Sequence, residues 1–321
     1  MERGERLFWS VMGILLLFLA ALVMWQVMQT DYSLRQAEHR HKFGAVYMTL
    51  NNPFYEIVDE EIRMEVTRRG DVLISRDPAL SVERQEEAVK ELIESGVELI
   101  FINPVDWQRI APALKLAQEA NVPVIAVDTN VEDENSVAAT VVSDNYLAGK
   151  QCAEHLLAHA AGGKIALLQH SEARSSVDRI QGFLDGLAIN PNFEVVDRAE
   201  CRGQLELAMP AMQEMLARHP DIDVVMALND PTAMGAMAAL QTVGRLDKVL
   251  VYGVDGVPET KEMIAGGHMM ATAGQSPRAL GRNAAEMAYK ILAGEQVPKL
   301  MRLPTQLITK ENLGTDMRGW D

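Results

Sequence analysis

Residues 97–129 read VELIFINPVDWQRIAPALKLAQEANVPVIAVDT, and this stretch decides the fold class. Two apolar runs of strand length, 97–102 and 122–127, flank a segment long enough for a helix. The runs are nearly continuous rather than alternating, as expected of parallel strands covered on both faces. Each ends in polar residues, Asn103-Pro104 after the first and Asp128-Thr129 after the second.

The same unit repeats outward. Strands are expected at 43–49, 71–76 and 137–142, and again at 164–169, 193–197, 223–228, 248–254 and 268–274. Helical spacing lies between them, as in Phe54, Ile57, Val58, Ile62 and Val66. Asn52-Pro53, Asp230-Pro231 and Ser276-Pro277 each predict an N-cap followed by proline, and Gly70 and Gly96 stand where helices should stop. So many strands exceed one Rossmann-type sheet. The sequence therefore predicts an α/β protein with two parallel-sheet lobes.

Residues 7–28, LFWSVMGILLLFLAALVMWQVM, break this pattern: they carry no charge. A helix of that length spans about 33 Å, the thickness of a bilayer's hydrocarbon core. Trp9 and Trp25 stand near its ends, and no small-x-small cleavage pair follows. The reading is an uncleaved transmembrane anchor at 7–28 and a polar stalk at 29–42, with a cleaved signal peptide as the alternative. Basic residues flank both sides, so charge does not orient the segment.

The 321 residues carry a net charge of −15, and the body beyond the stalk is acidic. Acidity argues against nucleic acid and against docking on anionic lipid. Cys152 and Cys201 are too few for a disulfide framework or a metal cluster. Two free thiols are expected, a single bridge being the alternative. His155 and His159 lie four apart, but Glu154 precedes them, so HExxH is not matched and a solvated helix face is expected. No phosphate loop, nucleophile elbow or dinucleotide fingerprint follows a strand. No metal or cofactor is expected, and no enzyme.

In open α/β sheets, ligands sit outside the carboxyl ends of the strands. Those ends hold Asn51-Asn52-Pro53-Phe54-Tyr55, Asn103, Asp128, Asn229-Asp230, Asp255 and Gln275, with Trp107 close to one of them. Amides and carboxylates satisfy both the donor and the acceptor of a hydroxyl, and aromatic rings cover the C–H face of a sugar. The set suits a neutral, hydroxyl-rich molecule. Asn52 and Asp230 have a competing role as helix caps, Phe54 as core, and Trp107 as packing between lobes.

Eight stretches carry a resemblance: TLNNPFY (49–55), LIFINPVD (99–106), VPVIAVD (122–128), SDNYLAGK (143–150), DRIQGF (178–183), MALNDPTAMGAMAALQTVG (226–244), VYGVDGVPE (251–259) and ATAGQSP (271–277). In this order and spacing, over about 43–313, the chain resembles the type I periplasmic sugar-binding proteins of the ribose-binding kind. The resemblance implies two lobes joined by a three-strand hinge, with crossovers near Ser143, Gln275 and residue 305. Lobe 1 would be 43–143 plus 276–304, and lobe 2 would be 144–275 plus 305–315. The implied ligand residues are Asn52, Phe54, Tyr55, Asn103, Asp128, Asn229, Asp255 and Gln275.

The family's two ligand arginines fall here on Thr129 and Val177, and a second-lobe aromatic on Val254. Losing two forked donors leaves a different monosaccharide, a polyol or another small polar solute open, and Arg174 is a candidate substitute. The expected function is a membrane-anchored, monomeric, extracytoplasmic binding protein that closes on a monosaccharide-like ligand and delivers it to an ABC transporter permease. The alternative is a ligand-sensing co-receptor for a membrane kinase or chemoreceptor. A LacI-like regulator is excluded, because an apolar span occupies the place of its helix-turn-helix.

Overall fold

The computed structural model describes residues 2–37, 40–314 and 319–320. The chain divides into two units, 1–41 and 42–321. The first unit is one helix, α1 (Glu2–Ala37), which runs without a break through the uncharged segment and on into the expected stalk. Its described side chains are 8, 9 and 12–28, and almost all are exposed. Among the described residues no helix is long and apolar enough to cross a membrane. The structure therefore does not support the expected transmembrane helix.

The second unit holds two sheets of the predicted kind. The first lobe is built by β1 (Lys42–Val46), α2 (Pro53–Arg68), β2 (Val72–Arg76), α3 (Val82–Glu94), β3 (Leu99–Ile102), α4 (Ala111–Glu119), β4 (Val124–Val127) and β5 (Ala139–Ser143). The second follows with α5 (Asn145–His159), β6 (Gly163–Gln169), α6 (Arg174–Leu187), β7 (Phe193–Glu200) and α7 (Leu205–Arg218). It continues through β8 (Val224–Ala227), α8 (Asp230–Thr242), β9 (Leu250–Asp255), α9 (Pro258–Gly266) and β10 (Ala271–Gly274). The chain then returns with α10 (Pro277–Leu292) against α2, adds β11 (Leu300–Leu303) to the first sheet, and ends its regular structure with β12 (Gln306–Thr309) in the second.

The strand orders are β11-β5-β4-β3-β1-β2 and β12-β10-β9-β8-β6-β7, so the two lobes share one topology. All pairs are parallel except β10 with β12, and β11 and β12 went unread in the sequence because they are short and interrupted by Pro304. The chain passes between sheets after β5, after β10 and between β11 and β12. Strands β3, β4 and β8 are buried at every residue, as their unbroken apolar runs require. Edge strand β7 instead alternates in burial and extends past the expected 197 to Glu200.

Capping follows the sequence at Asn52 and Ser276, whose side chains accept from Phe54 N and Ala279 N. At α8 it differs. Asn229 is the cap: its backbone is extended and its Oδ1 accepts from Thr232 N at 3.1 Å. Asp230, the expected cap, turns inward as described below. Both cysteines are free and buried. The histidine pair is not simply a solvated face, since the rings stack at 4.0 Å and His155 Nδ1 lies 3.0 Å from Tyr252 Oη.

Candidate functional site

Two aspartates organise the cleft between the lobes. Asp128 follows β4, and Asp255 closes β9, the strand in the same position of the second sheet. Both have left-handed backbone, φ 71° and 132°, which non-glycine residues adopt only where surrounding structure compels it. That turn lifts each carboxylate off its strand axis and into the cleft. Gly256, φ 77°, completes the second turn.

In the first lobe, Asn103 fixes Asp128 from behind. Its Nδ2 donates to Asp128 Oδ2 at 3.2 Å and to Val127 O at 3.1 Å, while its Oδ1 accepts from Met48 N. Tyr55 Oη donates to the same carboxylate oxygen at 3.2 Å. Gln85 completes this shell by bridging Asn103 O and Val105 N.

In the second lobe, Gln275 Nε2 donates to Asp255 Oδ1 at 2.6 Å, and Arg179 Nη1 stands 3.7 Å from that oxygen. Arg179 is buried, with Nε on Asn145 Oδ1 at 2.8 Å and Nη1 on Leu228 O at 2.9 Å. It is delivered there by the tight crossing of α5 and α6. A Cβ on Gly149 would strike the Arg179 carbonyl, and one on Gly182 the Tyr146 carbonyl, so only glycines permit this approach. Asn229 Nδ2 donates to Gly203 O. Neighbouring Asp230 is fully buried and accepts from Gly256 N, Val257 N, Thr260 Oγ1 and Thr272 Oγ1. It braces the Asp255 turn rather than facing the cleft.

Burial pushes the Asp128 carboxyl up from its ordinary range, opposed by the Arg179 charge and by its Tyr55 and Asn103 hydrogen bonds. Asp255 is pushed further up by burial, with Arg179 opposing and Asp230 adding to the rise. Burial likewise raises Asp230, to about 6, against its four hydrogen bonds. Burial lowers the His170 pKa from its ordinary value, with the Glu172 charge opposing.

A narrow, nearly filled cavity of only about 20 Å³ lies where these groups meet. Asn52, Phe54, Tyr55, Asp128, Asn229, Asp255 and Gln275 line it. Asn103 does not; it is fully buried and acts through Asp128. Gln275 Oε1 is buried and has no hydrogen-bond partner among the described residues, as is also true of His170 Nε2 and Arg202 Nε. Such orphan groups are costly unless a ligand or water meets them.

His170, Ser175, Arg179, Arg202 and Gln204 also line the cavity, and none was expected there. His170 and Arg202 follow β6 and β7, so the strand-end rule applied to those two strands would have found them. Arg179 offered no such signal, because it projects from a helix whose packing brings it in. Arg174 does not substitute for the missing arginines: it pairs with Asp178 at 2.8 Å and covers the Trp107 ring at 5.1 Å, outside this cavity. Trp107 is thus a contact between lobes.

The lobes touch around the cavity. Ser175 N donates to Thr129 Oγ1 at 2.9 Å, Trp107 N to Glu172 O at 3.0 Å, and Arg202 Nη2 to Leu80 O at 2.9 Å. Thr129, standing where an arginine was expected, is therefore an acceptor between lobes.

The periplasmic binding protein domain matches residues 43–296. The ribose import binding protein RbsB of Escherichia coli is 32% identical over 268 residues, covering 83% of this chain and 90% of its own. An ABC transporter solute-binding protein from Mycobacterium smegmatis, solved with bound glycerol, superposes with a TM-score of 0.83 at 33% identity, covering 88% of this chain and all of that one. The Caulobacter myo-inositol binding protein, bound to myo-inositol, gives 0.79 at 29% identity, covering 85% and 94%. These relatives are solute-binding transport proteins rather than enzymes, and with its twin sheets and shared cleft the chain belongs to the same family, the type I periplasmic sugar-binding proteins.

Proposed function

We propose that this protein binds a small, uncharged polyhydroxylated ligand, a monosaccharide or polyol, and delivers it to an ABC transporter permease. The observation that carries the reading is the convergence of polar groups from both lobes on one cavity, with Gln275 Oε1 left without a hydrogen-bond partner among the described residues. Asp128 and Asp255 accept ligand hydroxyls, Asn52, Asn229 and Gln275 donate and accept, and Phe54 and Tyr55 cover the ring. Asn103 holds Asp128 in place. Arg179 offsets the buried negative charge, so a neutral ligand suits the site. A ligand that touches both lobes binds the closed arrangement better and shifts the population toward it. The relatives' ligands, ribose, glycerol and myo-inositol, belong to this chemical class.

The lobes are 43–143 with 276–304 and 144–275 with 305–315, moving on the three crossovers between the sheets. Residues 7–28 tether the body to the outer face of the plasma membrane, on the strength of their uncharged 22-residue run. Deleting residues 1–30 leaves a folded, water-soluble body under this reading; a fragment that stays with membranes overturns the tether.

A thermal-shift and calorimetric screen of the full chain against D-ribose, D-allose, myo-inositol, glycerol and nucleosides tests the ligand class. A native-state ligand raises the melting point. A panel in which only charged solutes bind overturns the reading.

A further inference from the structure

Trp320 lies beyond the last strand and returns to the cleft. It is 8% exposed, and its Nε1 donates to the carbonyl of Asp255 at 2.9 Å. Its ring meets Phe54 edge-on, centroids 5.8 Å apart with an interplanar angle of 64°. Phe54 belongs to the first lobe and Asp255 to the second, and both line the ligand cavity, from which Trp320 itself is absent. Instead it forms one wall of a largely apolar groove, together with Pro53 and Ile57 from the first lobe and Pro231, Met234, Val257 and Pro258 from the second. The preceding Gly319 carbonyl accepts from Lys261 Nζ, which anchors this approach to α9.

We propose that Trp320 is a positioning residue for the ligand site and a tie between the lobes. The contact it makes is specific on both sides. The Asp255 carbonyl it holds belongs to the residue with φ 132°, where an outside hydrogen bond directly opposes relaxation of the strained turn. The ring it presses is the one offered to the ligand, so fixing the back of Phe54 fixes its front. An indole suits this task because it brings a donor and a large apolar face together. Opening the cleft separates Phe54 from Asp255 and must break one contact or the other. Trp320 therefore favours closure before any ligand arrives, and slows ligand release afterwards.

This inference rests on the closing-cleft reading above, and its test is read without sugar so that the two can fail separately. Spin labels on E87C and E214C, both exposed on helices of opposite lobes, report the distance across the cleft in the full chain. Cys152 and Cys201 are buried and do not compete for label. In the otherwise native protein the distance distribution is narrow. W320A lengthens and broadens it, and W320F, which keeps a ring and loses the donor, falls between. For whichever of D-ribose, D-allose, myo-inositol or glycerol raises the melting point, W320A speeds dissociation about tenfold, a loss of ~1.4 kcal/mol, with association little changed. A purely structural role would lower the melting point and leave the distance unaltered. An unchanged distribution in W320A overturns the proposal. Should W320A not fold, W320F decides alone: broadening supports the tie and no change overturns it.

Discussion

The two lobes repeat one design and diverge where it meets the ligand cleft. In each, the third strand is followed by an asparagine and the fourth by an aspartate on left-handed backbone: Asn103 and Asp128 in one, Asn229 and Asp255 in the other. In the first lobe the asparagine reaches its aspartate directly. In the second it turns away to cap α8, and the support of the aspartate turn passes to Asp230. The first lobe has Pro104 at that place, so no carboxylate stands there to brace the turn. Equivalent backbones can therefore present equivalent side chains through different buried networks. The lesson is that site symmetry does not imply equal sensitivity to mutation.

That inequality can be broken by removing Asp230. D230A leaves two backbone donors and two hydroxyls without their acceptor, and should cost about 4 kcal/mol of stability by urea unfolding. P104A, at the matching place in the first lobe, should cost under about 1 kcal/mol. Similar losses in both variants would show that the lobes are braced alike.

The next effect is on binding. D255A should weaken affinity for the sugar found in the screen by about 2–4 kcal/mol, because it strips a buried hydrogen-bonded group and frees Gln275 and Arg179. D128A should cost less, about 1–2 kcal/mol, since Tyr55 Oη also contacts Met48 Sδ and Asn103 keeps its carbonyl and amide partners. Calorimetry giving D128A the larger loss would reverse the assignment of the dominant lobe.

Proton linkage sharpens the contrast. Asp230 has a folded-state pKa of about 6, above its ordinary value of 3.8, so the folded protein holds the extra proton between those limits. Its contribution therefore improves as pH falls from 6 toward 4, and is least favourable above 6. Wild type should gain stability relative to D230N across that window, measured by melting at each pH. A constant difference from pH 7 to 4 would mean that Asp230 titrates as an ordinary carboxyl.

The smallest expected effect concerns the seam. T129V removes the acceptor for Ser175 N between the lobes and should weaken sugar affinity by about 1 kcal/mol, with little change in the stability of the ligand-free protein. A large loss of stability would place Thr129 in the core of one lobe instead.

Much of this site was legible in strand ends. Asp128, Asp255 and Gln275 follow uninterrupted apolar runs, and the rule that ligands gather at carboxyl ends is independent of their partners. His170 and Arg202 obey the same rule. Asp230 was misjudged because a carboxylate before proline suits a cap, and only the fold shows that four donors from the turn after β9, from α9 and from β10 surround it. Arg174 looked like the nearest substitute cation, yet helix phase turns it toward Trp107 and turns Arg179 inward.

Sequence alone determined the alternation of strand and helix, the division into two lobes and the polar character of the strand ends. Those are local properties, written in apolar spacing, proline and glycine over windows of a few residues. Tertiary structure decided which side chains share the cavity, which carboxylate braces and which is offered, and that Trp320 returns to close the seam. These depend on contacts between residues up to hundreds of positions apart, and no local pattern records them.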